Sequence, residues 1–444
     1  MEILIKILQF LLSLSILIVM HELGHFIFAK LFKTRVEKFY LFFDPWFSLF
    51  KIKKGETEYG IGWIPLGGYV KISGMIDESM DREQMKLPPQ PYEFRSKPTW
   101  QRLLIMLGGV MVNFIMALVI YAGVLWAWGD EYLPTQNAKY GIMADSLALN
   151  MGLQNGDKIL SVDGVAIEDF HKIVPYIVLN DSKSIQVKRD SSVIDLPVPG
   201  TLVPALLKKP GFIETRIPFV IAAFTKESIA EKAGLMKGDS VVAINGVPVE
   251  FFDQFKDSLR NHRNQEISIE VIRNHAPVTV KLTVPATGLI GVAPNGDLTH
   301  FFQTRRIEYG FFAAIPAGIS KGFRTMSDYL KQFKLIFSTR TKGYESLGGF
   351  ITIGSIFPGV WDWHSFWNLT AFLSIILAIM NVLPIPALDG GHVLFLLYEI
   401  VTGRKPSDKF LEYAQITGMI LLFALLLYAN GNDVVKLIHR LIGH

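Results

Sequence analysis

The chain has 444 residues, 50% of them hydrophobic, and its mean hydropathy is positive. A soluble protein of this size is usually more polar, so the composition favours a membrane protein. The net charge of +4 gives no global signal for nucleic acid, so we expect no nucleic-acid partner. The absence of cysteine excludes disulfides, thiolate metal sites and cysteine nucleophiles.

The hydrophobicity is concentrated in four segments, which predict a multi-pass α-helical membrane protein with four transmembrane helices. Each segment is close to the ~20 residues that cross the hydrocarbon core of a bilayer. They lie at 3–24, 103–126, 367–389 and 411–429. The first segment could instead be a cleaved signal peptide, but no small-residue cleavage site follows it.

The distribution of positive charge predicts the orientation. Loop 29–102 is rich in Lys and Arg, and the short loop after the third span carries Arg404, Lys405 and Lys409. Such loops stay in the cytosol. Both termini and the large segment 127–366 are therefore expected on the outside, which is the periplasm if the chain lies in a bacterial inner membrane.

The sequence His21-Glu22-Leu23-Gly24-His25 closes the first span. Residues i and i+4 share one face of a helix, so the two imidazoles can bind one zinc ion while Glu22 serves as a base for water. Charged groups at the end of a membrane helix are costly and are usually functional. The alternative is an interfacial cluster solvated by lipid headgroups.

The His-Glu-x-x-His motif is typical of zinc metalloproteases, so we predict that residues 1–126 form the first part of a catalytic core. A strand-like run bounded by glycines follows in region 60–75 of this part. A protease acting in a membrane must hold its substrate extended, because helical hydrogen bonding shields the peptide bonds. An exposed strand edge can do this. The alternative is an ordinary hairpin. The candidate substrate-binding residues of this run are Gly68, Tyr69, Val70, Lys71 and Ile72.

The outside segment contains an internal repeat. Gly152–Asp157 recurs as Gly234–Asp239, 82 positions later, and each copy is followed by alternating β-branched residues around a turn. The pattern predicts two β-rich units, at 130–208 and 211–288, inserted between the second and third helices. They resemble PDZ domains, which add an extended peptide to a sheet edge. A β-rich spacer that binds nothing is the alternative.

Segment 300–345 is predicted to be a linker with an amphipathic helix at 316–337. Basic residues alternate there with apolar ones, as in helices that lie on a membrane surface. Packing of this helix on a neighbouring domain is the alternative.

The third span carries the acid Asp389, which is costly at that depth unless it is paired. Catalytic zinc commonly takes three protein ligands and keeps one open position. Since the first and third spans enter from the same side, Asp389 is expected at the depth of His21 and His25. It would complete the ligand set in the second part of the core, 360–444.

Pro384 and Pro386 should break the third helix, and unwound backbone at membrane depth is tolerated where it lines a cavity. Asn381 can then hydrogen-bond a substrate backbone or a developing oxyanion. A helix–helix hydrogen bond is an equally good role for it. His392 is interpreted as an outer partner of the ligands or as an interfacial residue.

Together these residues resemble the site-2 protease family of intramembrane metalloproteases, in its bacterial branch with two tandem periplasmic PDZ domains. The resemblance covers nearly the whole chain, through His21–His25, Gly68–Ile72, Gly108–Phe114, both repeat units and Asn381–Gly391. It implies zinc as the cofactor, Glu22 as the base, and substrate positioning by Asn381 and Pro384. One departure is Leu347–Phe350, where relatives tend to carry Ser-Gly-Pro.

The family cleaves membrane-anchored regulators, such as anti-sigma factors, after another protease has trimmed their outer domain. The implied partners are therefore pre-trimmed single-span membrane proteins within the lipid bilayer, with the PDZ pair helping to exclude untrimmed ones. Two other functions stay open on the sequence. A transporter is disfavoured by four spans without an inverted repeat. A tethered PDZ scaffold with an inactive zinc site is disfavoured by the intact His-Glu-x-x-His.

Overall fold

The computed structural model describes residues 1–75, 87–208 and 211–442, which form two compact units. The first unit comprises Met1–Gly129, Glu308–Lys334 and Tyr344–His444, and the second comprises Asp130–Ile307 and Leu335–Gly343. Residues 76–86 of the predicted cytosolic loop, and the last two residues of segment 360–444, lie outside the described residues.

Seven α-helices of the described chain lie wholly or mainly in the first unit. They are α1 (Glu2–Leu31), α2 (Thr99–Trp128), α3 (Phe311–Ile336), α4 (Phe350–Ser355), α5 (Trp363–Val382), α6 (Asp389–Thr402) and α7 (Asp408–Ile442). Helices α1, α2 and α5 and the stretch Lys409–His439 of α7 are long and apolar enough to cross a membrane, which confirms the four predicted spans. The chain is a membrane protein with separate β-rich regions.

The predicted end of the third span, at residue 389, is wrong. Helix α5 ends at Val382, the next six residues are not helical, and Asp389 begins the separate helix α6. The backbone leaves the helix at Leu383, where φ is −57° and ψ is 138°. The residue before a proline avoids the helical region, and Pro384 itself lacks the N–H that would continue the helix.

Helices α1, α2 and α5 pack side by side through small and polar residues. Gly24 of α1 and Gly108 of α2 meet backbone to backbone, so a side chain at either position would clash. The hydroxyls of Ser13 and Thr370 lie 2.9 Å apart, and Asn381 lies 3.5 Å from His21. Because both pairs rise together along the chain, α1 and α5 run parallel, as the sequence argument required.

The segment between α1 and α2 forms a four-stranded sheet. Its strands are β1 (Val36–Phe43), β2 (Phe50–Lys54), β3 (Thr57–Ile61) and β4 (Ile64–Ile72), in the order β2-β3-β1-β4. The glycine-bounded run is thus a strand, and β4 is an edge strand, antiparallel to β1. The ring of Tyr69 stacks between Tyr40 and Phe43 of β1, which fixes the register of the edge.

Helix α3 contains the predicted amphipathic segment and packs on the span helices. Gly318 and Gly322 lie against Ala122 and Leu118 of α2. The Lys321 ammonium lies 5.3 Å from the centre of the Tyr121 ring and 3.3 Å from Oδ1 of Asn368 on α5. A position on the outer membrane surface stays a prediction.

The stretch Leu347–Phe350 leads into the short helix α4. Asp433 of α7 accepts hydrogen bonds from the backbone N–H groups of Gly349 (3.0 Å) and Thr352 (2.8 Å). Its carboxylate therefore caps the amino end of α4. A carboxylate cap from α7 thus holds the segment in which this chain departs from the Ser-Gly-Pro pattern.

The second unit consists of short strands and helices. Its helices are Ser146–Met151, Ile173–Asn180, Leu202–Lys208, Ile229–Lys232 and Phe252–Asn261. Its strands are Asp130–Tyr132, Ile142–Ala144, Lys158–Val162, Ser184–Arg189, Ser192–Pro197, Ile213–Thr215, Ile221–Phe224, Ser240–Ile244, Val247–Pro248, Glu266–Arg273, Ala276–Thr283, Val292–Pro294 and Arg305–Ile307. Short 3₁₀ turns occur across both units at Phe94–Ser96, Thr135–Asn137, Phe170–Lys172, Leu298–His300 and Gly343–Ser346.

The internal repeat is visible in the structure. Each copy has its own buried apolar cluster and a two-residue hairpin turn, at Asp190 and at Asn274. In the first copy Arg189 makes a two-pronged salt bridge to buried Asp157, and in the second Arg273 does the same to Asp239. The same ion pair in both copies supports their common origin.

Candidate metal centre

Helix α1 brings His21 and His25 together. Their spacing of four residues places both imidazoles on one face, with ring centres 4.9 Å apart and planes at 80°. Gly109 of α2 lies directly beside both rings. Any side chain at position 109 would occupy the space of the imidazoles, so the glycine makes room for the pair.

Asp389, the first residue of α6, completes a compact triangle of ligand atoms. Its Oδ2 lies 3.2 Å from Nε2 of His21 and 3.4 Å from Nε2 of His25, and the two Nε2 atoms are 3.3 Å apart. Ligand atoms ~2.0–2.1 Å from one tetrahedral zinc ion are separated by about 3.3 Å. The donor set and its spacing therefore fit zinc.

The buried Oδ2 atom of Asp389 supports the same conclusion. Although it lies near both imidazoles, it accepts no hydrogen bond from the residues that the structure describes. A buried carboxylate oxygen without a hydrogen bond is costly, and metal coordination would remove that cost. The motif, the acid in the third span and the direction of the spans predict these three ligands, and the structure brings them together.

Neighbouring groups orient the two imidazoles. Nδ1 of His25 lies 2.8 Å from the carbonyl oxygen of Ile105, which accepts its N–H and leaves Nε2 free to bind a metal. Asn113 of α2 is fully buried beside Nδ1 of His21, at 3.3 Å. With its amide turned so that Oδ1 faces Nδ1–H, Asn113 would orient His21 in the same way.

Glu22 lies between the ligand pair and the edge strand. Glu22 and Val70 of β4 line the same cavity. A methyl group on Gly68 would lie 3.5 Å from Cγ of Glu22. In the described sheet β1 pairs with one edge of β4 and leaves its other edge unpaired, and Gly68–Ile72 of this strand line the cavity together with Glu22.

A cavity of about 540 Å³ joins these elements. It is lined by the three ligands and Glu22, by Asn381, and by the predicted strand residues Gly68, Tyr69, Val70, Lys71 and Ile72. Pro384 is exposed and is not among the described residues that line it, so its contact with substrate stays a prediction. The lining is consistent with an extended peptide bound along β4 beside the ligands.

Other lining residues were missed by the sequence argument. They include Lys38, Phe43, Met75, Met106, Ala387, Leu388 and Gln415, and His392 also lines the cavity. Two polar groups to which the sequence argument assigns no role carry a usable signal: Gln415 in this lining, and Asn113 beside His21. Asn113 and Gln415 are buried amides within apolar spans, where a polar side chain is usually functional.

Comparisons with known proteins agree with this geometry. The family described as Peptidase family M50 matches residues 9–425. The protease RseP of Yersinia pestis is 30% identical over 98% of this chain and 100% of its own length. The regulator of sigma-E protease RseP of Escherichia coli K12 is 29% identical over 97% and 98% of the two chains. The protein of that name from Salmonella typhimurium 14028s is 29% identical over 96% and 98%.

Proposed function

Because this chain belongs to peptidase family M50 and is a metalloprotease of the site-2 type, we propose that it is a zinc endopeptidase that cuts membrane-spanning segments of other proteins. The observation that carries the proposal is the triangle of His21, His25 and Asp389 ligand atoms, 3.2–3.4 Å apart, beside Glu22 and a free strand edge.

The residues of the centre have different roles in the proposed hydrolysis. His21, His25 and Asp389 would hold zinc, which supplies a Lewis acid that polarises a carbonyl and makes water more acidic. Glu22 takes the proton of the attacking water and passes it to the leaving amide nitrogen. Asn381, 3.5 Å from His21, lies within reach of the scissile carbonyl and can donate its amide N–H to the developing oxyanion.

Strand β4 is the proposed substrate-binding element. An extended segment added to its free edge would have its peptide groups hydrogen-bonded to the strand rather than to a helix. The edge runs past Ile18 and Glu22 of α1, so the bound backbone would lie beside the ligands. Gly68 allows this close approach, since a side chain there would meet the Ile18 side chain and the Tyr40 carbonyl.

We place the protein in a bacterial inner membrane, with both termini and the second unit in the periplasm. The parallel course of α1 and α5 and the Lys-rich and Arg-rich loops support this orientation. The two repeats of the second unit act as PDZ-like domains on that side. Their paired hairpins and matching ion pairs support the assignment.

The proposed substrates are single-span membrane proteins trimmed beforehand by another protease. Relatives that match nearly the whole chain are named regulators of sigma-E protease, which points to membrane-anchored regulators such as anti-sigma factors. The PDZ-like pair would help to exclude untrimmed proteins from the metal centre.

The test compares the wild-type protein with Glu22→Gln, purified in detergent. Zinc content is measured by elemental analysis, and cleavage is followed on a trimmed single-span substrate. We expect both proteins to hold one zinc ion and only the wild type to cut. Cleavage by Glu22→Gln at the wild-type rate, or a wild-type protein without zinc, would refute the mechanism.

A further inference from the structure

The turn that carries Asp389 is held from α7. Ala387 has a φ of +80°, in the left-handed region that residues other than glycine rarely adopt. Backbone strain of this kind persists where the surroundings hold it, and it clusters at functional sites. Two residues later comes the ligand Asp389, so the strained turn sets where its carboxylate lies.

Two residues of α7 contact this turn. The side-chain Oε1 of Gln415 accepts a hydrogen bond from the backbone N–H of Ala387, at 3.2 Å. Gly418, one helical turn further, touches the carbonyl of Pro386 so closely that no side chain fits. Positions i and i+3 lie on one face of a helix, so Gln415 and Gly418 contact the turn from the same face of α7.

Gln415 is only 4% exposed and lines the same cavity as the ligands. Only 11% of the apolar stretch of α7 is buried, against 44% for α2, so few contacts attach α7 to the rest of the unit. A buried amide in an apolar span is costly unless it is hydrogen-bonded, and polar groups at such positions are usually functional.

We propose that Gln415 is a positioning residue for the metal centre: it holds the strained Ala387 turn and thereby keeps the Asp389 carboxylate in ligating position. This inference rests on the proposed zinc site. Without the hydrogen bond, Ala387 relaxes toward ordinary backbone angles, and Asp389 turns away from the two imidazoles. Residues that orient ligands typically change metal affinity 10- to 100-fold when replaced.

The test measures the zinc dissociation constant of the full-length protein in detergent, by competition with a chromophoric chelator. Gln415→Leu removes the acceptor at similar volume. Thr417→Val is the matched control, since Thr417 is exposed on α7 and bonds only to the Tyr413 carbonyl of its own helix among the described contacts. We expect Gln415→Leu to weaken zinc binding at least about tenfold, and Thr417→Val to leave it unchanged.

The double variant Gln415→Leu/Ala387→Gly separates positioning from general damage. Glycine adopts a φ of +80° without strain, so the double variant should regain most of the affinity. Unchanged affinity in folded Gln415→Leu, or in Gln415→Met if the leucine variant does not purify folded, overturns the inference. A double variant as weak as the single one also overturns it. A wild-type protein that binds no zinc refutes the proposed function instead.

Discussion

A methyl group on Gly109 would lie 2.5 Å from Nε2 of His25, the atom that faces the proposed metal. It would also lie 2.6 Å from Cε1 of His21. The second span therefore takes part in the metal centre without supplying a ligand, by leaving the space in which both imidazoles stand.

We expect Gly109→Ala to weaken zinc binding at least about tenfold, because both ligand rings must move. The measurement is the zinc dissociation constant of the purified protein. Gly123→Ala on the same helix is the control, since its added methyl would meet no atom of the described structure within 4 Å. Equal zinc affinity in the two variants would contradict the claim that the imidazoles need the space left by Gly109.

Gly68→Ala tests the close approach of β4 to α1. The added methyl would meet Ile18 at 2.5 Å and the Tyr40 carbonyl oxygen at 2.8 Å, so the edge must shift away from Glu22. Small displacements of a substrate can cost about 100-fold in rate. We expect the cleavage rate to fall about 100-fold, while the zinc content stays at the wild-type level.

Gly67→Ala is the graded comparison for this experiment. The three atoms nearest to its methyl all belong to the ring of Phe43, the closest at 2.9 Å, and a side chain can rotate away. Its loss of cleavage should be smaller than that of Gly68→Ala. If Gly68→Ala cuts at the wild-type rate, substrate does not bind along this edge.

The buried ion pair of the second repeat predicts a pH dependence. Burial by itself would raise the pKa of Asp239, but the Arg273 guanidinium and the N–H of Met236 outweigh it and lower the pKa. A lowered pKa in the folded state stabilises above the unfolded value of about 3.9. That contribution is lost as the pH falls through the folded pKa, so this repeat should weaken below about pH 4.

Asp239→Asn should therefore lower the stability of this repeat at pH 7 by about 1.5–3 kcal/mol, the usual worth of a hydrogen bond to a charged group. It should also flatten the loss at low pH. Hydrogen exchange of strand Glu266–Arg273, corrected for intrinsic rates, measures both the stability at pH 7 and its loss at low pH. Asp257→Asn is the control, because its 3.4 Å pair with Arg260 is well exposed and such pairs contribute little. Equal exchange in the two variants would contradict the assignment.

The cap on α4 gives a further prediction. Asp433→Ala leaves the N–H groups of Gly349 and Thr352 without their acceptor, which should cost about 1 kcal/mol. Amide exchange across Phe350–Ser355 should rise, and zinc content should not change. His439→Ala, an exposed position on the same helix, serves as control. Unaltered exchange would mean that α4 is held by its apolar contacts alone.

Much of the metal centre could be predicted from the sequence. The spacing of His21 and His25 defines a helical face, and the direction of the spans brings Asp389 to the same depth. Family membership, the metalloprotease activity and the four spans are confirmed. The two prolines also predict the break after α5, whereas the predicted end of the span at residue 389 lies beyond the helix end at Val382, because hydrophobicity continues past that residue.

The contributions of α2, α3 and α7 could not be predicted. Periodicity shows which face of a helix is apolar, but it does not say which helix lies against that face. Asn113, Gly109 and Gln415 acquire their roles only when their helices pack beside the ligands. A basic amphipathic pattern likewise does not identify α2 as the helix that α3 contacts through Gly318 and Gly322.

The most direct test of the account is the position of the cut. A trimmed single-span substrate is incubated in proteoliposomes with wild type or with Glu22→Gln, and the product termini are read by mass spectrometry. The account predicts one cut within the apolar segment of the substrate, made by the wild type alone. Cuts confined to the water-exposed flanks, or made equally by Glu22→Gln, would contradict it.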